Sequence, residues 1–270
     1  MYLVDAPVPP VDMVMPAAAQ QVFTVVWGAV ALALAGYAGY QGLRHRRWLP
    51  AALLLGGAVC YFAEPMVDVL GLLWHPTHGQ WVALDTFRAV PLWGLFVYAI
   101  CFGGLPYLMW LDFRRGFTAR RAWTWIGAFW LVDLAVEFPI LHFGLYVYYG
   151  DPPMRLAGLP LYWLFMNIIG PLATAVAVLT IPALHRGVGL LVAVGLPVSL
   201  DAAGSAVVGW PIFSALNAGA GGAVKYLAAA VSVLIGLVLL RGLIRYPNSR
   251  WPAHPADGSV AQIGQATVSS

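Results

Sequence analysis

Long apolar stretches alternate with short connections that are polar or rich in glycine and proline, and this alternation sets the plan of the chain. Seven stretches are long enough to cross a bilayer as helices: Gln21–Gly42, Trp48–Leu73, Pro91–Leu111, Ala122–Leu141, Gly158–Ile181, Gly187–Val208 and Ala223–Leu243. Barrel strands would instead be shorter segments of alternating character. The expected fold is therefore all-α: a polytopic seven-helix membrane domain over residues 21–243, a tail at 1–20 and a disordered tail at 244–270. The first twenty residues hold four prolines but no Lys or Arg, so they read as a short tail rather than a signal peptide. The Ser-, Pro-, Gly-, Ala- and Gln-rich end has too little apolar surface to fold.

Composition agrees with the pattern. Of 270 residues, 61% are hydrophobic and 9% charged, against about 25% charged in a soluble domain. The basic residues have a topological meaning, so the net charge of +3 calls for no nucleic-acid partner. Eleven of the fourteen fall in the alternate connections Arg44–Arg47, Arg114–Arg121 and Arg186, or at and beyond the end of the seventh span. Arg88, Arg155 and Lys225 fall on the other side. By the positive-inside rule the N-terminus is expected outside and the C-terminus in the cytoplasm, in a multi-pass plasma-membrane protein. Tyr146, Tyr148, Tyr149, Trp74, Trp81 and Trp210 fall near the outer interface and suit an aromatic belt. Cys60 and Cys101 lie within apolar spans and read as small buried hydrophobes.

The exceptions inside the spans carry the chemistry. Glu64 and Asp68 stand four apart on span two, and Asp133 and Glu137 four apart on span four, so each pair occupies one helix face. At about 1.5 Å per residue, Glu64 lies about 24 Å and Asp133 about 17 Å from the start of its span, both in the outer half. Asp201 on span six, Asn167 on span five, Asn217 and Lys225 near span seven, and Arg88 at span three converge on the same layer. Intramembrane acids are costly and face a protein interior or a cavity. Their shared depth predicts one polar pocket inside the bundle. Pro65 and Pro139, close after an acid on each helix, free backbone carbonyls that such a pocket accommodates.

Two carboxyls one turn apart in a low-dielectric site cannot both ionise easily, which sets a neutral acid beside a carboxylate. The neutral partner can donate a proton; the anion can stabilise a cation or take the proton back. Other chemistries lack their residues. His75 and His78 have neither the spacing nor the glutamate of a zinc-hydrolase helix, and no nucleophile elbow or nucleotide loop is present. No aspartate-rich diphosphate site appears either, which favours protonation as the opening step. Nothing in the pattern requires a metal or a cofactor.

The run Tyr61-Phe-x-Glu64-Pro-x-x-Asp68-x-x-Gly71 followed by His75-Pro76 resembles the AveC-like family of actinobacterial membrane proteins. So do Asp133-x-x-x-Glu137, Gly144-x-Tyr146-x-Tyr148-x-Gly150 and Pro160-x-x-Trp163-x-x-x-Asn167. The likeness spans about Trp48 to Leu243. The family takes its name from a spiroketal cyclase that closes a dihydroxy-ketone polyketide and can also dehydrate it. The resemblance implies a cyclase acting on a lipophilic small molecule, with a substrate that does not follow from membership. Glu64 and Asp68 are expected as the acid/base pair, and Asp133 and Glu137 as a second pair or cation stabilisers. Asn167 and Asn217 are expected to orient substrate oxygens, with Asp201, Tyr61, His75, Arg88 and Trp163 completing the binding set. Two rivals stay open at this point: a proton-initiated terpene cyclase acting on an isoprenoid olefin or epoxide, and a non-enzymatic proton-coupled carrier or lipid-binding protein. The oligomeric state is left open.

Overall fold

The computed structural model describes residues 7–250. Seven of its helices are long and apolar enough to cross a membrane: α1 Ala17–His45, α2 Leu49–Gly71, α3 Leu92–Phe113, α4 Ala119–Phe143, α5 Trp163–Thr180, α6 Gly189–Asn217 and α7 Gly222–Pro247. Helicity in α7 continues to Arg250. Part of the expected C-terminal tail is thus helical, and residues 251–270 lie outside the described residues, as do residues 1–6 of the N-terminal tail. Two other boundaries differ from expectation. Span five begins at Trp163, because Arg155–Leu156 and Leu159–Pro160 form a two-stranded hairpin turned at Gly158 (φ 93°). Helix α6 runs nine residues beyond Val208, through Pro211.

Three short antiparallel ladders lie at one end of the bundle. In chain order the strands are β1 Leu73–Trp74, β2 Val82–Asp85, β3 Ala89–Pro91, β4 Val147–Tyr148, β5 Arg155–Leu156 and β6 Leu159–Pro160, paired β1–β4, β2–β3 and β5–β6. The β1–β4 ladder joins the connection after α2 to the connection after α4, with Leu73 opposite Tyr148 and Trp74 opposite Val147. At the same end the Asn217 amide of α6 donates to Leu70 O of α2 at 2.8 Å, and Lys225 Nζ of α7 to Gly150 O at 2.9 Å. The start of α1 is fastened there too, by Met15 N to His78 O and Gln20 Nε2 to Gly79 O. The opposite, basic end brings the end of α3 to the turn after α5, where Trp110 meets His185 edge-on at 5.2 Å. Successive helices therefore alternate in direction, as a membrane bundle requires.

Without a hydrophobic drive between helices in lipid, close packing holds such a bundle together, and small residues permit it. Gly57 of α2 crosses Gly103 of α3 so closely that a Cβ on Gly57 would lie 2.5 Å from Gly103 N and 2.9 Å from its Cα. Gly103 belongs to a π-helical turn, Ala99–Gly104, in the middle of α3. Such bulges recur at functional sites because they re-aim side chains on either side. Here Tyr98 stands just before the bulge.

Candidate active site

Both acid-bearing helices are shaped by proline. Pro65 has no N–H to offer the Tyr61 carbonyl, and Glu64 N takes it instead in a 3-10 turn over Tyr61–Ala63. That turn divides α2 and starts its second half at Glu64. The helix then stops at Leu72, which adopts the left-handed conformation (φ 55°) and gives its N–H to Asp68 O. A leucine rarely sits there. The consequence is that the chain doubles back, and His75 Nδ1 comes to 3.2 Å from Asp68 Oδ2 with both residues buried. Helix α4 ends in the same way at Gly144 (φ 71°). The chain turns under the helix, and the Tyr146 hydroxyl donates to Glu137 Oε2. The β1–β4 ladder holds the two returning segments side by side, with the His75 and Tyr146 rings 5.2 Å apart, edge to face.

All five membrane acids line a single cavity: Glu64 and Asp68 from α2, Asp133 and Glu137 from α4, and Asp201 from α6. Each has a specific partner. The Tyr98 hydroxyl donates to Glu64 Oε2. The Asn167 amide of α5 donates to both oxygens of Asp133 at 3.3 and 3.2 Å. One turn away on the same two helices, Trp130 Nε1 donates to Leu164 O at 2.8 Å, so two cross-links fix that face of α4 on α5. The Cys60 thiol donates to Asp201 Oδ2 at 3.5 Å at the deep end. Gly170 makes room for that acid, since a Cβ there would lie 2.8 Å from its Cβ. Asp201 stands sixteen residues before the end of α6, about 24 Å along the helix, so the cavity reaches deep into the bundle.

Aromatic rings form much of the wall: Tyr61, Trp93, Tyr98, Phe102, Phe129, Tyr146, Tyr148 and Trp163. The indole N–H groups of Trp93 and Trp163 are buried without a partner. About 70 Å³ is open to the centre of a water-sized sphere, room for about five waters at 10–15 Å³ each. Among the described residues, His75 is the one basic side chain on this wall. Burial pushes its pKa down to about 4, Arg88 adds to the fall and Glu64 opposes it, so the imidazole is neutral at pH 7. Its contact with Asp68 is then a hydrogen bond with one shared proton, not an ion pair. Burial likewise raises the Tyr146 and Tyr148 hydroxyls, with the Glu137 charge adding to it, and both stay protonated donors.

Of the residues expected at the site, Glu64, Asp68, Asp133, Glu137, Asp201, Asn167, Tyr61, His75 and Trp163 line the cavity. Two do not. Asn217 spends its amide on Leu70 O and Phe213 O, stapling α6 to α2. Arg88 sits outside, donating to Leu73 O at 2.6 Å and to the Tyr149 hydroxyl at 3.0 Å, with its guanidinium 5.1 Å over the Trp74 ring. Tyr146 and Tyr148 belong to the cavity wall rather than to an interfacial belt, whereas Trp81 and Trp210 are exposed as a belt demands. Cys60 is buried, but as the partner of Asp201 it is more than a small hydrophobe. Residue spacing held no sign of Tyr98, Trp93 or Cys60; a tyrosine five residues before a Gly-Gly pair in a proline-bearing span is the nearest signal. Among the described residues, no group of three or more His, Cys, Asp or Glu is arranged to hold a metal ion.

Comparison with family models, with curated proteins and with solved structures finds no match to this chain.

Proposed function

We propose that this protein is a membrane-embedded acid/base cyclase, which protonates a lipophilic precursor and shields the resulting cation while the ring closes. One observation carries the reading: two carboxyl pairs, each with a hydroxyl donor from a tyrosine, face one aromatic-walled cavity in the membrane interior. A carboxyl paired this way can hold a proton or a charge, the requirement for a group that gives a proton and later takes one back. Aromatic faces stabilise a passing cation by about 0.5–2 kcal/mol each. In the spiroketal form of the reaction, Glu64 protonates the hemiketal hydroxyl and water leaves. Asp133 or Glu137 stabilises the oxocarbenium ion, and the second alcohol adds while its proton returns to a carboxylate. The likeness of the Tyr61–Pro76 run to the AveC-like proteins points the same way. The excess of arginine at the basic end supports a cytoplasmic position for that end and an outward position for the strands.

A second substrate class has its own support. The hydroxyls of Tyr61, Tyr98 and Tyr146 and the Asn167 amide are already bonded within the protein. The rings they leave facing the cavity suit an isoprenoid chain as well as a polyketide. Either substrate needs more space than about 70 Å³, since pockets for drug-sized ligands run to about 300–1,000 Å³. Substrate entry therefore parts the wall between α2 and α4. The test offers a dihydroxy-ketone polyketide and a polyprenyl epoxide to the purified protein and to Glu64→Gln and Asp133→Asn variants, with products read by mass spectrometry. Loss of water from the ketone supports spiroketal closure, and an epoxide isomer of unchanged mass supports the isoprenoid. Solute-driven proton flux in liposomes with no product would replace the enzyme by a carrier.

A further inference from the structure

A second hollow, of about 360 Å³, lies at the strand end, lined by Trp74, Thr77, Asp85, Phe87, Arg88 and Ala89 together with Asp68 and His75. Asp68 and His75 also line the central cavity, and among the described residues they alone are common to the two linings. The pair is therefore the partition: one face looks to the strand-end vestibule, the other to the acids. Both residues are buried, at 2% and 4% exposure, and the bond between them spans the wall. The His75 ring is set between Trp93 at 5.9 Å and Tyr146 at 5.2 Å.

An acid/base cycle needs protons to reach the cavity acids, and the Asp68–His75 pair stands where the cavity meets the vestibule. We infer that the Asp68–His75 pair is the proton relay between the strand-end vestibule and the central cavity, with His75 in a positioning and shuttling role rather than in contact with the substrate. In the inward step a vestibule proton binds Nε2 as the Nδ1 proton passes to Asp68 Oδ2. The imidazole is left neutral as the other tautomer, and Asp68 is protonated toward the cavity. Asp68 then passes its proton to a cavity carboxylate such as Glu64, and rotation of the ring brings its N–H back toward Asp68, so each cycle carries one proton inward and that carboxylate takes up its charge. The charged and titratable groups facing the ring are Asp68, Glu64 and Glu137 on the cavity side, the last through Tyr146, and Arg88 on the vestibule side. Arg88 disfavours a lasting imidazolium, which suits a group that passes a proton on and does not store it.

The relay rests on the acid/base reading of the cavity, but its test uses no substrate, so the two can fail separately. Carboxyl C=O stretches are recorded by infrared spectroscopy on the full-length protein in lipid at pH 7, assigned with Glu64→Gln, Asp68→Asn, Asp133→Asn and Glu137→Gln, and followed after a switch from H₂O to D₂O. Positioned proton transfer contributes about 10²-fold or more to a rate, so deuteration of the cavity acids should slow about 10²-fold in His75→Asn and His75→Phe. His75→Phe keeps the wall filled, and His75→Asn keeps a donor for Asp68. The unaltered protein supplies a second measurement: the Asp68 band should exchange before those of Glu64, Asp133 and Glu137. Unchanged deuteration rates in the folded variants, simultaneous exchange of all the bands, or no protonated carboxyl band at pH 7 would each overturn the relay.

Discussion

Acid should destabilise this protein through His75 by an amount the structure sets. The ordinary imidazole pKa is 6.5, and in the folded protein it falls to about 4, chiefly because the ring is buried. Between those values the unfolded chain binds a proton that the folded chain does not, so stability falls as pH drops through the window. The penalty is absent above about 6.5 and complete below about 4. At about 1.4 kcal/mol for each unit of pH, it amounts to about 3 kcal/mol. The assay is thermal unfolding in detergent, followed by tryptophan fluorescence, for the unaltered protein and His75→Asn from pH 7.5 to 4. The acids titrate in both proteins, so the difference between the two curves isolates His75. His75→Asn should start level or slightly lower at pH 7.5, then gain about 3 kcal/mol relative to the unaltered protein by pH 4. Parallel curves with a constant offset would refute the reasoning, because they would mean that the ring is solvated or already paired as a cation.

Three further outcomes follow from the packing and the hydrogen bonds. Gly57→Val drives a branched side chain into the Gly103 backbone, and should lower stability by about 1–3 kcal/mol in the same unfolding assay, whereas Gly36→Ala, with open space around it, should change little. Tyr98→Phe leaves Glu64 without its hydroxyl donor; it should cost about 1–3 kcal/mol and reduce product formation while the fold persists by circular dichroism. Cys60 and Cys101 are free and buried, so a polar maleimide should label neither in the membrane and both after denaturation in SDS.

The seven helices were legible because each is a long apolar run, and lipid permits few other solutions. That the acids meet in one cavity was legible as well, since helical rise converts residue number into height, but α6 runs on to Asn217 and so sets Asp201 at the deep end and not in the layer of the others. What each acid touches was not. Tyr98 differs from any other span tyrosine only through the π turn at Ala99–Gly104, and Tyr146 looks like a belt residue until the β1–β4 ladder folds it under α4. That ladder has two residues per strand, too short for an alternating pattern. Asn217 was misplaced for a related reason. Gly209-Trp210-Pro211 reads as a helix end, yet α6 passes through it, and the amide finishes as a staple to Leu70 O. The left-handed Leu72, on which the His75–Asp68 bond depends, carries no compositional sign at all.

The β1–β4 ladder has a mechanical consequence. It rivets the tips of the two acid-bearing helices at one end of the bundle, while the space between them is cavity. Levers pinned at one end open most at the other. Any motion that spreads α2 from α4 therefore opens the widest gap away from the strands, on the side of Asp201. The strand end of this chamber is its hinge, and the Asp201 end its movable side.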